Sequence, residues 1–464
     1  MPIPLRTEGK TGMRPRVLST PIAWLTVLLV SCLLWAPGCG TTEPPPVSEV
    51  TYTFDKDVQD LINILAQKSK DNPYREFDKS FTGLYVPKSL FTQEPFVLGL
   101  STESRIPAIL LLTAKWVKRY GEAGWLHEME GPRSQVKFDR NTLMPEVARV
   151  FSVAPPDSAT RKGRVLMALP TGICGNVLFF RQDLLKRYHL KPPRNWDELK
   201  AICRKILPQE KQVKYGLLLQ PTRFVDDFYT IFWGFGGVVM DENRFVLGQV
   251  QNQEAFLMAL KEVLSMEGSI LPPARDMRQF ESEEALQQSF LKGEALFVIH
   301  LNYFTRDLVD VLRQSTIKTP GGITNIPDQV GVAPIPCPAG QTKQYTNIDS
   351  LGWAVNNFAA TAWNALQVMD GVRKFLKFLV NDEYQLQAAA SWGEVPSLRS
   401  ALKKLNDKEV LKVYNTVFAA PNIVIRVPPS SRGLNNTMEK QLVAALYGQQ
   451  TPEAALQEIL KELQ

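Results

Sequence analysis

The chain has 464 residues, too many for one hydrophobic core, and its 44% hydrophobic and 22% charged content is that of an ordinary folded protein. The net charge of +6 shrinks to +3 beyond Cys39, because Arg6, Lys10, Arg14 and Arg16 face only Glu8 before it. No basic cluster remains, which argues against nucleic-acid binding, and five scattered cysteines form neither a disulfide framework nor a CxxC metal spacing.

Residues 1–39 read as an export signal. Arg14 and Arg16 precede an apolar run over 23–36 that is short for a membrane span, which needs roughly 20 residues. The run ends in Ala36-Pro37-Gly38-Cys39, which resembles a lipoprotein processing box with Cys39 as the lipidated residue. A plain secretory peptide and an uncleaved anchor are the alternatives. Residues 40–49, with Pro44-Pro45-Pro46, form a tether, since proline keeps a chain extended.

Val50 to Phe54 alternates like a strand, and a helix follows with Leu61, Ile64 and Leu65 on one face. Residues 72–107 resist parsing, because Pro73, Pro87, Pro95 and Pro107 break any long helix. Strands are predicted over 164–169 and 177–180. Asn195 with Glu198 marks a capped helix start, and Leu199, Ile202, Cys203 and Ile206 follow at helical spacing. A helix over 283–292 stops at Gly293, strands follow over 295–299 and 330–335, and a helix covers roughly 360–380. Thr451-Pro452 opens a helix with Leu456, Ile459, Leu460 and Leu463 on one face. Alternating strands and helices give an α/β fold.

Several segments carry a family resemblance. They are Leu169-Pro170-Thr171-Gly172, Val177 to Leu185, Pro192-Pro193-Arg194-Asn195-Trp196-Asp197-Glu198-Leu199, and Trp233-Gly234-Phe235-Gly236-Gly237. Further on come Phe290 to Phe297, Val330 to Pro338, Gly393-Glu394-Val395-Pro396 and Thr451 to Leu456. In this order they resemble the family-1 extracellular solute-binding proteins of ABC importers, the maltose-binding type.

The resemblance implies a two-lobed periplasmic-binding-protein type II fold, with crossings between the lobes and a central ligand cleft. The first lobe would hold 50–172 and 349–393, and the second 176–346 and 396–464. The cleft would hold a sugar or oligosaccharide, delivered to an ABC permease. The family's cleft positions map onto Asp55, Phe224, Asp226, Asp227, Asn302, Tyr303, Trp353, Trp392 and Arg432. Each of these also has a purely structural reading, as core packing or helix surface.

A catalytic set is not legible. His127, His189 and His300 share no ligand spacing, and HExxH, GxSxG and the P-loop pattern are absent. No metal and no cofactor is expected, and the expected state is a monomer held at the membrane by its lipid. Two alternatives remain beside transport: the ligand-binding part of a membrane sensor, and a carbohydrate hydrolase built from scattered carboxylates.

Overall fold

The computed structural model describes residues 50–54, 56–68, 74, 81–86, 96–154, 163–241, 244–314, 321–348, 350–429 and 431–463. Cys39, the leader and the tether lie outside these residues, as does Asp55.

The strands of the first lobe begin with β1 (Val50–Phe54), β2 (Phe81–Tyr85) and β3 (Ile109–Thr113). The short β4 (Ser152–Val153) and β5 (Val165–Leu166) pair with each other, and β6 (Ala168–Pro170) follows. The second lobe holds β7 (Asn176–Arg181), β8 (Tyr215–Leu218), a two-residue pair β9 (Met240–Asp241) and β10 (Arg244–Phe245), β11 (Ala295–Leu301) and β12 (Val330–Ala333). Then come β13 (Gln344–Asn347), β14 (Leu351–Val355) and β15 (Ile423–Arg426).

Two sheets define the architecture. The first has the order β2-β1-β3-β14-β6, the second β12-β7-β11-β8. β1 runs parallel to β2 and β3, whereas β14 enters from the far part of the chain and runs antiparallel to β3 and β6. All five residues of β3 are buried, as suits a strand covered on both faces. In the second sheet β7 runs antiparallel to β11 and β12, and β8 parallel to β11.

The cores follow from side-chain alternation along the strands. Val177 and Phe179 of β7 point into an apolar cluster that continues into the first lobe, while Leu178 and Phe180 point into the separate second-lobe core. Each buried Val, Leu or Phe contributes roughly 1.5–3 kcal/mol, so the sheet's two-sided burial fixes its register.

Local signals explain the helix ends. The Asn195 side chain accepts from Glu198 N at 2.9 Å, while the Glu198 carboxylate reaches back to Arg194 N at 2.8 Å. Thr451 Oγ1 caps Ala454 N at 3.2 Å and Pro452 opens the helix Pro452–Leu463.

Three expectations shift. In the helix Lys56–Gln67 the buried face is Val58, Leu61, Ile62 and Leu65, and Ile64 is exposed. The strand over 164–169 is two strands, since the chain leaves β4 and joins β14 around Met167. The helix near 360–380 is a short turn, Asn357–Ala360, followed by Ala365–Leu379. Cys174, Cys203 and Cys337 are buried and form no disulfide among the described residues, and burial pushes the Cys203 thiol up to about 12.

Candidate functional site

Three stretches meet between the two sheets: 171–175, Ile348 with Ser350, and the segment beginning at Gly393. Their backbones are laced together. Ile173 and Val395 exchange both hydrogen bonds, at 2.6 and 3.1 Å, and Cys174 N donates to Ser350 Oγ at 2.7 Å. Asn302, at the end of β11, ties the bundle. Its Oδ1 accepts from Gly175 N at 2.8 Å, its Nδ2 donates to Gly393 O at 3.0 Å, and its own N–H donates to Gly175 O at 3.1 Å. Gly175 has no room for a side chain, because Asn347 O occupies that space. Gly393 ends the helix Asp382–Trp392 at φ 72, a left-handed conformation that favours glycine.

Polar side chains gather beside this junction on the second lobe. β8 ends and Pro221 opens a single turn, Pro221–Arg223, that leads into the helix Phe224–Gly234. Asp226 and Asp227 fall in that helix's first turn, where the helix dipole favours negative charge. Asn176, the first residue of β7, organises the floor. Its Nδ2 donates to Asp227 Oδ1 at 3.0 Å and its N–H donates to Asn347 Oδ1 at 2.8 Å. Its carbonyl accepts from Thr346 Oγ1 at 2.7 Å, and Arg223 reaches its Oδ1 at 3.5 Å.

The electrostatics centre on Arg223. Burial pushes the Asp227 carboxyl up to about 7, against the opposing pull of Arg223 and with a smaller push from Asp226. Burial, reinforced by Arg223, holds His300 well below the usual imidazole range. The neutral ring donates Nε2–H to Gln220 Oε1 at 3.2 Å, since the Gln220 amide nitrogen is committed to Thr222 Oγ1 and Glu281 O. Tyr303 stands edge-on to His300, with ring centroids 5.6 Å apart. Its hydroxyl is raised well above the ordinary phenol range, mainly by burial, and Arg223 counters this.

The first lobe supplies the facing groups. Lys115 follows β3 at the start of the helix Ala114–Glu122. It acts electrostatically on Glu439 of the helix Arg432–Leu446, a carboxyl that burial and Asp226 push upward. Glu394, on the third crossing, packs its carboxylate over Gly172 of the first. Tyr85 ends β2 with 49% of its surface exposed, its ring 5.8 Å from that of Phe54.

The residues expected to bind ligand therefore divide. Asp226, Asp227, Asn302 and Tyr303 come together at the junction. Asp227 and Asn302 are buried there, and Asn302 spends its amide on the crossings. Phe224 is fully buried against Phe228, and Trp353 is fully buried against Phe375 and Tyr52 in the first-lobe core. Packing accounts for both, and neither offers surface at the junction. Trp392 is partly buried beside Gly393. Arg432 opens its helix, but its side chain, like Asp55, falls outside the described residues.

Arg223, Asn176, Lys115 and Tyr85 were not singled out from sequence, and His300 was weighed only for ligand spacing. Tyr85 lay in the unparsed stretch. Arg223 carried a signal in Pro221, which opens a turn directly before the helix.

Comparison with known proteins places this geometry. A model of the bacterial extracellular solute-binding protein family matches residues 99–412. A probable ABC transporter-binding protein of Deinococcus radiodurans is 24% identical over 314 residues, 65% of this chain and 68% of that one. The maltose-bound MalE3 of T. maritima shares the fold with a TM-score of 0.65 at 22% identity, over 89% of this chain and 98% of its own. The sugar-binding MalE of Xanthomonas citri gives 0.65 at 16% identity, over 89% and 95%. A solute-binding protein of Thermotoga lettingae bound to tagatose gives 0.63 at 14%, over 89% and 99%. The family match runs from β3 through all three crossings, and the chain belongs to the bacterial extracellular solute-binding proteins.

Proposed function

We propose that this protein captures a sugar or oligosaccharide outside the cytoplasm by closing its lobes, and hands it to an ABC permease. The observation that carries the reading is the gathering of Arg223, Asp226 and Tyr303 beside the crossings, with Lys115 of the other lobe and Asp226 both acting on Glu439. A pyranose offers a flat apolar face and a rim of hydroxyls. An aromatic ring such as Tyr303 covers the face, and donors and acceptors such as Arg223 and Asp226 meet the rim. Each contact is modest, so several must converge where water is shed.

Closure follows from differential affinity. A ligand that touches both lobes favours the shut form by the difference between its affinities for the shut and open forms. The permease then reads the shut shape. In this reading Cys39 carries the lipid, residues 40–49 are the tether, and the protein works as a monomer that binds sugar without transforming it. Carbohydrate ligands named for the structural neighbours, maltose and tagatose among them, support the sugar class.

Calorimetry against a panel of mono- and oligosaccharides is the test. Saturable binding with the sugar recovered unchanged is the expected result, and Tyr303→Ala should weaken it by roughly 1–3 kcal/mol. Sugar consumed during titration, or no sugar bound, would overturn the reading.

A further inference from the structure

The first lobe has two ends. One holds the crossings, where β3 stops at Thr113 opposite Leu351. At the other end β1 begins at Val50, β3 begins at Ile109, and β14 finishes at Val355 opposite Ile109. This far end is where the chain enters the described fold.

Large apolar side chains stand in water at this far end. Trp363 is 67% exposed, Leu366 83% and Ile106 51%. Hydrogen bonds join their segments. Asn356, which follows β14, donates from Nδ2 to Ser104 O at 2.8 Å and Pro107 O at 3.0 Å, and from its own N–H to Ala108 O at 2.9 Å. Ala108 N in turn donates to Thr51 O at 3.0 Å, next to Val50. Leu366 lies on the helix Ala365–Leu379, and that helix lays Gly371 directly on the Val50 side chain. The exposed residues thus lie on segments that connect to the start of β1.

We propose that this end of the first lobe rests on the lipid surface, with Trp363, Leu366 and Ile106 as its contacts. The proposal rests on the lipid-anchor part of the function proposed above. Ten residues, 40–49, separate Cys39 from Val50, and ten residues reach at most roughly 33–36 Å. The lipid therefore keeps the Val50 end close to the bilayer, while the crossings stand at the opposite end of the sheet. Tryptophan favours the boundary between headgroups and acyl chains, and an apolar patch beside an anchor adds buried area that orients the lobe on the bilayer. The helix carries Arg373, Lys374 and Lys377 on its exposed side against Asp370 alone, a balance that suits anionic headgroups.

The test avoids dependence on Cys39. The chain from residue 40 onward, which retains every described residue, is tethered by an N-terminal histidine tag to nickel-chelating lipid in phosphatidylglycerol–phosphatidylcholine vesicles. An environment-sensitive dye is placed at Leu366→Cys, or at Met258→Cys, a 56% exposed control on the second-lobe helix Val250–Leu264. The expected result is a blue shift and quenching by bromine-labelled lipid at 366 only, with both lost in Trp363→Glu. Equal behaviour at 366 and 258 would overturn the proposal. A shift at 366 that needs no lipid and grows with protein concentration would also overturn it, in favour of a second copy on this patch. Mass spectrometry of the N-terminus of the exported protein separately tests lipidation of Cys39.

Discussion

Arg223 acts on both Asp227 and His300, and these two respond to acid in opposite senses. Asp227 has a folded value of about 7 against an ordinary 3.8. Its contribution to stability is fully present below pH 4 and is lost as pH rises to about 7. His300 is depressed, so its contribution is present above pH 6.5 and is lost as pH falls below that. Asp227→Asn keeps an oxygen for the Asn176 amide but removes the titration. Calorimetric melting should show the variant more stable than the parent at pH 8, by at most about 4 kcal/mol, with the gain vanishing near pH 4. At this scale the sequence was half readable. Asp226 and Asp227 were named through the family resemblance, and the structure sets both in the first turn of one helix. Nothing in the residues 176, 223 and 300 announced that a fold would stack them, since their meeting depends on strands far apart in sequence. Trp353 and Phe224 misled in the opposite direction, because an aromatic within a strand or at a helix start reads the same whether it faces a ligand or a core.

Among elements, the crossings matter most, and Asn302 is their fastener. Asn302→Ala removes the side-chain acceptor from Gly175 N and the donor to Gly393 O. Leaving such buried groups unmatched costs roughly 1–3 kcal/mol each. The variant should melt at lower temperature, and its amide exchange should quicken over 173–175 and 393–395 while the strand β3 stays protected. Equal exchange at the crossings would deny Asn302 this role. Elements with strong local signals were legible: β1, the cap at Asn195 and the Thr451-Pro452 start all stand where the pattern put them. β2 was not. Its sequence, Phe-Thr-Gly-Leu-Tyr, has glycine at its centre, and the structure gives the reason: the Phe54 ring fills the space a Cβ would take. A neighbour that the strand itself does not encode thus makes glycine fit there. The phase error at Ile64 has a similar origin, since the helix begins at Lys56 and turns Ile62 inward.

For the whole molecule, two lobes joined by three strands of chain should respond to ligand as a unit. Small-angle scattering is expected to show a smaller radius of gyration with saturating sugar, and unfolding should be delayed by about 2.7 kcal/mol at a hundredfold excess over Kd. Scattering unchanged on saturation would mean that binding does not close the lobes. The interleaving of the chain has one more effect. β3 gains its partner β14 only after the entire four-stranded sheet has been made, and the second core is completed only by the helices Arg432–Leu446 and Pro452–Leu463. Pairing between segments so far apart in sequence is slow, so the first sheet closes late. For a member of an extracellular family, slow pairing of this kind leaves the chain more time to reach its compartment before it folds.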